Sequence, residues 1–520
     1  MDPLTVATLA VACFVLYRII NFTVKLFKVA LLFEYPLNAE EIPSLPFIGH
    51  AYLFTGGNEA ILNRINQLGK NYPTWCRVSI GDNPLYLITL PKHLKEILLT
   101  PKTIEKNYLY EFGRPWLGDG LITSPASVWE VHRKLIQPSF NPVALKSFVE
   151  TFATLSVTLA KKMEQHLDGS EFEVRKYVSL CALDAICATA MGINLKAMES
   201  GKCEFDEAVT KLIHIVFKRS ISPWLYPDFI FNRTQLGTDQ RKHIRSMQEF
   251  GINVIRQKKA TIVRRSDEGV SADNEQDSFG NFAAGPQILI ENLLRLSTDN
   301  KTLTDENIQN HVDTMIVAGT DTVASTMNYV LLMLASHQDI QEKIYQELCD
   351  IFGENVSHDD SEELQITMDH LSRMTYMERV IKETMRLFPG APIIGREATD
   401  DFELGQFTMR KGTSVMLNIF GVHRSEKYWP DPLKFDPDRF LPERFATQEP
   451  YSYLPFSGGR RNCIGSKYAM IFMKTITATI LWKYVLTKDK VILVKDLRLT
   501  FDFLLRSVDP DTFRIARRVK

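Results

Sequence analysis

Pro455-Phe-Ser-Gly-Gly-Arg-Arg-Asn-Cys-Ile-Gly465 sets one cysteine between glycines and arginines, immediately ahead of the helix-forming run Lys467-Tyr-Ala-Met-Ile-Phe-Met-Lys474. A cysteine ligates metal as its thiolate, and the free thiol ionises above neutrality, so such a site has to favour the charged form. A helix starting just after Cys463 would point its unpaired N–H groups at the sulfur. Gly459 and Gly465 let the backbone approach a planar ligand where a Cβ would clash. Arg461 offers a bidentate fork to a carboxylate. The rival for a bare cysteine is a buried structural thiol. Against it stands the spacing Phe456, Gly459, Arg461, Cys463, Gly465, five fixed residue types in ten positions.

This loop resembles the haem-binding loop of the cytochromes P450. The resemblance implies a mainly α fold with small β-sheets, the cytochrome P450 fold, covering nearly the whole chain. It makes Cys463 the iron ligand and Arg461 a partner for a haem propionate.

Other segments carry the same resemblance. Ala318-Gly-Thr-Asp-Thr322 puts poor helix formers inside an otherwise strong apolar helix predicted from Thr304, a plausible N-cap, to about Ser336. Local disagreement with the surrounding fold is expected at functional sites. The segment is similar to the oxygen-binding kink of the family, which implies that Thr322 hydrogen-bonds dioxygen and Asp321 relays protons from solvent. Glu383-Thr-Met-Arg386 places a carboxylate and a guanidinium three apart on one helix face. With Phe435-Asp-Pro-Asp-Arg-Phe440 downstream, the resemblance implies a buried structural network of Glu383, Arg386 and Arg439 beneath the haem. Trp129-Glu-Val-His-Arg133 matches the propionate-binding helix, and Arg396 matches another propionate arginine. Trp129, Arg133, Arg396 and Arg461 together suit a dianionic cofactor.

Gly118-Asp-Gly-Leu-Ile-Thr-Ser124 and Leu183-Asp-Ala-Ile-Cys-Ala-Thr-Ala-Met-Gly192 look like the fatty-acid ω-hydroxylase branch (family 4, animal and insect type). The second is helix packing there and carries no chemistry. Many members of that branch hold a glutamate before the glycine of the oxygen motif, where it can esterify the haem. Ala318 stands there here, so the expectation is non-covalent haem b. Val323 replaces a hydroxyl residue often found after the threonine.

The chain has 520 residues and a formal charge of −1, so no global field favours nucleic acid. Its seven cysteines show no C-x-x-C and no zinc spacing with the eleven histidines, which favours a reducing, cytosol-facing body. Leu4 to Phe22 nearly reaches the ~20 apolar residues of a membrane span. Asp2 precedes it while Arg18, Lys25 and Lys28 follow, keeping the positive side cytosolic. Residues 1–33 are therefore expected to be an uncleaved, single-pass anchor. Residues 34–49, with Pro43-Ser-Leu-Pro46-Phe-Ile-Gly49, read as a stiff hinge, and 50–520 as the catalytic domain. The resemblance with this anchor implies an endoplasmic reticulum membrane protein.

Within the body, Cys76–Ile80 and Leu85-Tyr-Leu-Ile-Thr89 are predicted strands bounded by Gly81-Asp-Asn-Pro84. Arg264 to Gly280 is polar and reads as an exposed or disordered loop. Ile221–Phe231, apolar and aromatic, reads as pocket roof, membrane contact or ordinary core. With Leu121, Ile393 and Ile394 it supplies the candidate pocket residues.

The function expected is a haem-thiolate monooxygenase acting on a lipophilic substrate: a fatty acid, hormone, pheromone or xenobiotic. Gly118-Asp-Gly120 lacks the third glycine and the setting of a dinucleotide site. Electrons are therefore expected from NADPH through a separate NADPH-cytochrome P450 reductase, with cytochrome b5 as a further partner. Lys134, Arg444, Arg460 and Lys467 are the candidate basic contacts. The alternatives are an isomerase or dehydratase of the same family that needs no dioxygen, and a haem-binding sensor or lipid carrier.

Overall fold

Helical periodicity over most of the chain and short β-rich runs near its ends produce the elements of the computed structural model. It describes residues 9, 12–18, 20–21, 47–201, 204–267, 288–299, 303–353 and 364–518. Its longer helices are α1 (Asn58–Asn71), α2 (Pro91–Leu99), α3 (Ala126–Ile136), α4 (Pro142–Met163), α5 (Arg175–Thr189) and α6 (Glu204–Ser220). They continue with α7 (Gln235–Asp267), α8 (Leu289–Asp299), α9 (Asp305–Ser336), α10 (Gln338–Phe352), α11 (Thr375–Leu387) and α12 (Ser466–Lys483). The strands are β1 (Cys76–Ile80), β2 (Asn83–Ile88), β3 (Phe172–Glu173), β4 (Ile393–Glu397), β5 (Phe402–Leu404) and β6 (Phe407–Met409). After these come β7 (Ser414–Asn418), β8 (Tyr484–Thr487), β9 (Leu499–Phe501), β10 (Leu505–Ser507) and β11 (Thr512–Arg517). The fold is mainly α with small sheets, as expected.

α9 forms the centre. Thr304 Oγ1 accepts from Asn307 N–H at 3.1 Å, and Asn307 Oδ1 accepts from Thr304 N–H at 3.1 Å, a reciprocal cap that fixes the predicted start. Apolar residues on nearly every face bury the helix against α5, α7 and α11. Gly319 lets α5 approach, since a Cβ there would stand 3.0 Å from Ile186. The segment 183–192, running from α5 into the turn after it, is thus packing, as expected, and Asp184 accepts from the Ala197 and Met198 N–H groups.

The main sheet runs β1-β2-β7-β4, with β2 and β7 parallel and the other pairs antiparallel. Pairing of β2 with β7 begins at Leu85, so Pro84 owes that partner no bond. Arg396 of β4 sits opposite Val415.

Two expectations need adjusting, and a third lies mostly outside the described residues. Residues 264–267 belong to the end of α7 rather than to a loop, while 268–280 lie outside the described residues. Most of the anchor and of the hinge lies outside them too. Residues 12–18, 20 and 21 are helical, with Phe14, Leu16, Tyr17 and Ile20 exposed, and Arg18 pairs with Asp82 at 3.4 Å. The end of the hinge is fastened to β1 by a bridge between Gly49 and Ile80. Finally, Ile394 belongs to a second core with Leu94 and Leu417, away from the core that holds Ile393, because neighbours on a strand face opposite ways.

Candidate active site

Between Leu454 and α12 the chain folds back so that Cys463 N–H donates to Phe456 C=O at 3.0 Å, and Asn462 N–H donates to Gly459 C=O at 3.2 Å. Gly459 has φ +69°, and a Cβ there would stand 1.8 Å from the Leu98 carbonyl oxygen. Its glycine is therefore demanded by α2 and by the backbone, a reason the sequence did not supply. Gly465 is different: its φ is ordinary, and a Cβ would lie 3.9 Å from Cys463 Sγ, plain contact distance. Cys463 is exposed, yet burial pushes its thiol up. The Gly465 N–H and the Arg133 charge pull the other way, as a helix start and a nearby cation should.

Cations gather beside this loop. Arg461 Nη2 donates to Ser124 C=O at 2.9 Å, and its guanidinium lies 4.8 Å from the Trp129 ring centroid. Its Nε and Nη1 are buried and meet no partner among the described residues. The Arg396 side chain, in a residue 2% exposed, makes one hydrogen bond among the described residues, to Gly395 C=O. Lys106 is held well below the usual lysine range by burial and by the charges of Arg396 and Arg461. Burial and Arg396 likewise hold Arg461 at about 10. Glu105 is the carboxylate in range, 4.0 Å from Arg461. Arg133 turns instead to the cysteine loop, donating to Asn462 C=O at 3.1 Å and Asn462 Oδ1 at 3.2 Å.

On α9, Ala318, Gly319 and Thr322 keep partial exposure while their helical neighbours are buried. Ala318 and Thr322 lie one turn apart on one face, while Gly319 faces Ile186 of α5. The residues stay helical through the segment, and Thr322 Oγ1 donates back to Ala318 C=O at 2.7 Å. Asp321 turns away from that face. Its Oδ1 accepts from Arg175 at 2.5 Å and its Oδ2 from Arg506 at 2.6 Å. The sequence offered no sign of this double clamp.

Beneath the loop the expected charge network is present. Arg386 donates Nε to Glu383 Oε2 at 2.6 Å and Nη2 to Oε1 at 2.8 Å, both residues fully buried. Arg386 Nη1 also donates to His423 C=O and Pro432 C=O, while Arg439 approaches Glu383 at 3.4 Å. His423 was missed. Its Nε2 accepts from Leu454 N–H at 2.7 Å, tying the network to the start of the cysteine loop.

Gly118 and Gly120 are explained by packing: a Cβ at either would collide with Asn310 or Thr314 of α9. Of the pocket residues, Ile221 and Ile393 line an apolar cavity of about 60 Å³ with Leu109, Phe217 and Phe503. Leu121 is buried in the main core.

The family model for Cytochrome P450 matches residues 41–508. The chain belongs to the cytochrome P450 family. It is 35% identical to Cytochrome P450 4c21 of Blattella germanica over 85% of this chain and 86% of that protein. It is 32% identical to Cytochrome P450 4V2 of Rattus norvegicus and to Cytochrome P450 4c3 of Drosophila melanogaster, each over 92% of this chain and 90% of the relative. The heme domain of cytochrome P450DA, in a mutant form, superposes with a TM-score of 0.75 at 23% identity, covering 92% of this chain and 97% of that one.

This P450 is thus a monooxygenase of the family whose members hold haem b through a cysteine thiolate. The residues present fit that group. Unpartnered donors on Arg461, the poorly satisfied Arg396 and the depressed Lys106 form a cationic wall that a dianion would neutralise. Lys106 is the cation sequence reasoning did not name; a lysine between Glu105 and Asn107 carries no spacing signal.

Proposed function

We propose that this P450 inserts one oxygen atom into a C–H bond of a lipophilic substrate, with electrons from NADPH through a separate reductase. The observation that carries it is exposed Cys463 on a loop whose Arg461 lies buried beside Arg396 and Lys106, with its Nε and Nη1 unmet among the described residues. A haem bound there supplies dioxygen activation and oxygen insertion, chemistry that belongs to the cofactor.

The residues have separate tasks. Cys463 holds the iron as its thiolate; burial alone would keep the thiol protonated, so metal binding itself completes the ionisation. Arg396, Arg461 and Lys106 with Trp129 hold the propionates, and Phe456 and Gly459 shape the loop. Arg133 braces that loop through Asn462. Thr322 Oγ1, which bonds to Ala318 C=O, would hold a proton for the oxygen chemistry that a bound haem supplies. Asp321 holds the next proton position. Ala318 offers no carboxylate, so haem is retained without a covalent bond.

The cavity lined by Ile221, Ile393 and Phe503 supports an apolar substrate, because none of the residues lining it is charged. Within Ile221–Phe231 the residues divide: Ile221, Leu225 and Phe231 are buried, while Trp224, Phe229 and Ile230 are exposed. The exposed set, with Phe47 and the anchor helix tied to Asp82 by Arg18, supports a membrane-facing side and a microsomal location. Exposed Lys134 and Lys467 on the cysteine side support docking of an acidic reductase surface; Arg460 and Arg444 there already pair with Glu130 and Asp436.

The reduced carbon-monoxide spectrum tests this reading. A red-shifted Soret band that disappears in Cys463→Ala, with NADPH- and reductase-dependent oxygenated product, is expected. A band without the shift in the wild type refutes the thiolate assignment. Product formation with peroxide-only substrates and never with reductase and NADPH refutes the monooxygenase assignment.

A further inference from the structure

An open cleft of about 1190 Å³ lies between the end of α1, the start of α10, the chain over 421–435 and the segment 492–495. It shares no described lining residue with the cysteine loop or with the cations beside that loop. It is larger than the roughly 300–1,000 Å³ of an ordinary small-molecule pocket, and the oxygen chemistry makes no use of it.

Arg424 forms part of its wall. The guanidinium lies 4.2 Å from the Phe420 ring centroid and 5.5 Å from that of Phe388. Nε and Nη2 both donate to a single acceptor, Leu387 C=O, at 3.0 Å and 2.5 Å. A guanidinium carries five N–H groups, so most of its donors are left over. No carboxylate among the described residues offsets its charge; burial, then repulsion from Arg386, holds it at about 9. A cation set between aromatic faces and short of partners is completed by an anion that can reach it through the cleft.

The remaining wall selects the kind of anion. Lys70, Lys427, Lys434 and Lys495 stand against Asp339, Glu426 and Asp431, and all of these are exposed. Water screens them and they nearly cancel, so they select weakly. Arg424 is the desolvated charge of the set. Much of the wall between is apolar. Ile340 and Val494 are buried, while Leu433 and Leu493 line the cleft and stay 39% and 46% exposed. Exposed leucines on a concave wall are what an apolar chain covers.

We propose that this cleft binds an amphiphilic carboxylate, a fatty-acid-like molecule whose head group takes the spare N–H groups of Arg424 and whose chain lies over Leu433 and Leu493. A molecule held here is an effector and not a substrate, since the cysteine loop is not part of the wall. Its charge offsets the repulsion between Arg424 and Arg386. Arg386 in turn donates to His423 C=O in the network beneath the cysteine loop, so occupancy supports that network.

Equilibrium dialysis of the holoprotein against radiolabelled dodecanoate, with the Soret band followed in parallel, tests this. Dodecanoate beside the haem perturbs that band; dodecanoate in the cleft does not. A spectrally silent site is expected. Arg424→Met should weaken it by roughly tenfold to a hundredfold, the loss of a charge-assisted bond, and leave any Soret response unchanged. Leu493→Asp, which sets a carboxylate at an exposed wall position, should weaken it as well. Methyl dodecanoate, without the charge, and acetate, without the chain, should compete poorly. Absence of a silent site, or equal silent binding in wild type and both variants, overturns the proposal. Acetate or inorganic phosphate competing as well as dodecanoate reduces the cleft to a simple anion site and overturns the amphiphile. Methyl dodecanoate competing equally removes Arg424 from the site. A glutamate-rich peptide that displaces dodecanoate at equal concentration assigns the cleft to a protein partner and overturns the proposal too. If Arg424→Met loses its red-shifted carbon-monoxide band, Leu493→Asp decides alone, and unchanged silent binding there is enough to reject the site.

Discussion

His132 Nδ1 and His311 Nε2 lie 2.9 Å apart inside the protein, joining α3, which carries Trp129 and Arg133, to α9, which carries Asp321 and Thr322. One ring donates and the other accepts, so the bond requires at least one neutral imidazole. Burial, then the His132 charge, holds His311 at about 3, and burial lowers His132 as well. His423 is held at about 3 by burial and by Arg386.

These shifts give stability a sign with pH. A histidine depressed in the folded state adds stability that is present above its unfolded value of 6.5 and is lost as pH falls toward 3. The thermal midpoint of the holoprotein should therefore drop steadily below pH 6.5. His311→Gln, which keeps a hydrogen-bonding group without the titration, should flatten part of that slope. An unchanged slope in this variant would show that the pair is not what titrates.

The loop makes a sharper contrast. Gly459→Ala meets both a positive φ and the Leu98 carbonyl at 1.8 Å. Backbone strain of this kind costs about 1–3 kcal/mol before the clash is counted. Gly465→Ala meets only the sulfur at 3.9 Å. Gly459→Ala should lose most haem on purification, while Gly465→Ala should fold and retain it. Equal haem content in the two variants would contradict the role given to α2.

Glu383→Ala leaves Arg386 buried with its charge unmet, and Arg439 keeps only its bond to Asp431 C=O among those described here. Breaking a buried pair in this way costs roughly 3–5 kcal/mol. His423 and Pro432 carbonyls would still bind Arg386, so the chain should unfold at lower denaturant without a change in ligand spectrum in the surviving fraction. A denaturant midpoint equal to that of the wild type would remove the network from the list of what supports the loop.

The sequence made Cys463, the charge network and the capped start of α9 legible because each depends on residues close along the chain. A glycine, an arginine and a cysteine at fixed offsets specify a loop, and Thr304 with Asn307 specifies a cap. The double clamp on Asp321 was not legible. Arg175 and Arg506 reach it across 146 and 185 residues, and nothing in their own neighbourhoods marks them. His423 and Lys106 were hidden for the same reason: their importance comes from burial beside charges on other elements. Even Arg133, found by its spacing from Trp129, took its partner from Asn462, 329 residues away. Local pattern identifies which chemistry is present; tertiary packing decides which partner each charge obtains.

Lys106 supplies the last prediction. Its ammonium is enclosed and repelled by Arg396 and Arg461, so without a counter-charge it is costly to keep protonated. A dianionic cofactor against this wall would raise its affinity for the proton and gain a charge-assisted bond worth roughly 1.5–3 kcal/mol. Lys106→Met, which fills similar space without charge, should therefore release haem to an acceptor protein faster, by about tenfold or more. Cofactor release should also quicken in the wild type as pH rises through the lysine's cofactor-bound range, and that quickening should be absent from Lys106→Met. Acid-organic extraction should remove the haem completely from both proteins, since Ala318 provides no carboxylate for an ester. Release rates that match between the two proteins at every pH would take Lys106 out of the propionate wall and leave Arg396, Arg461 and Trp129 to form it.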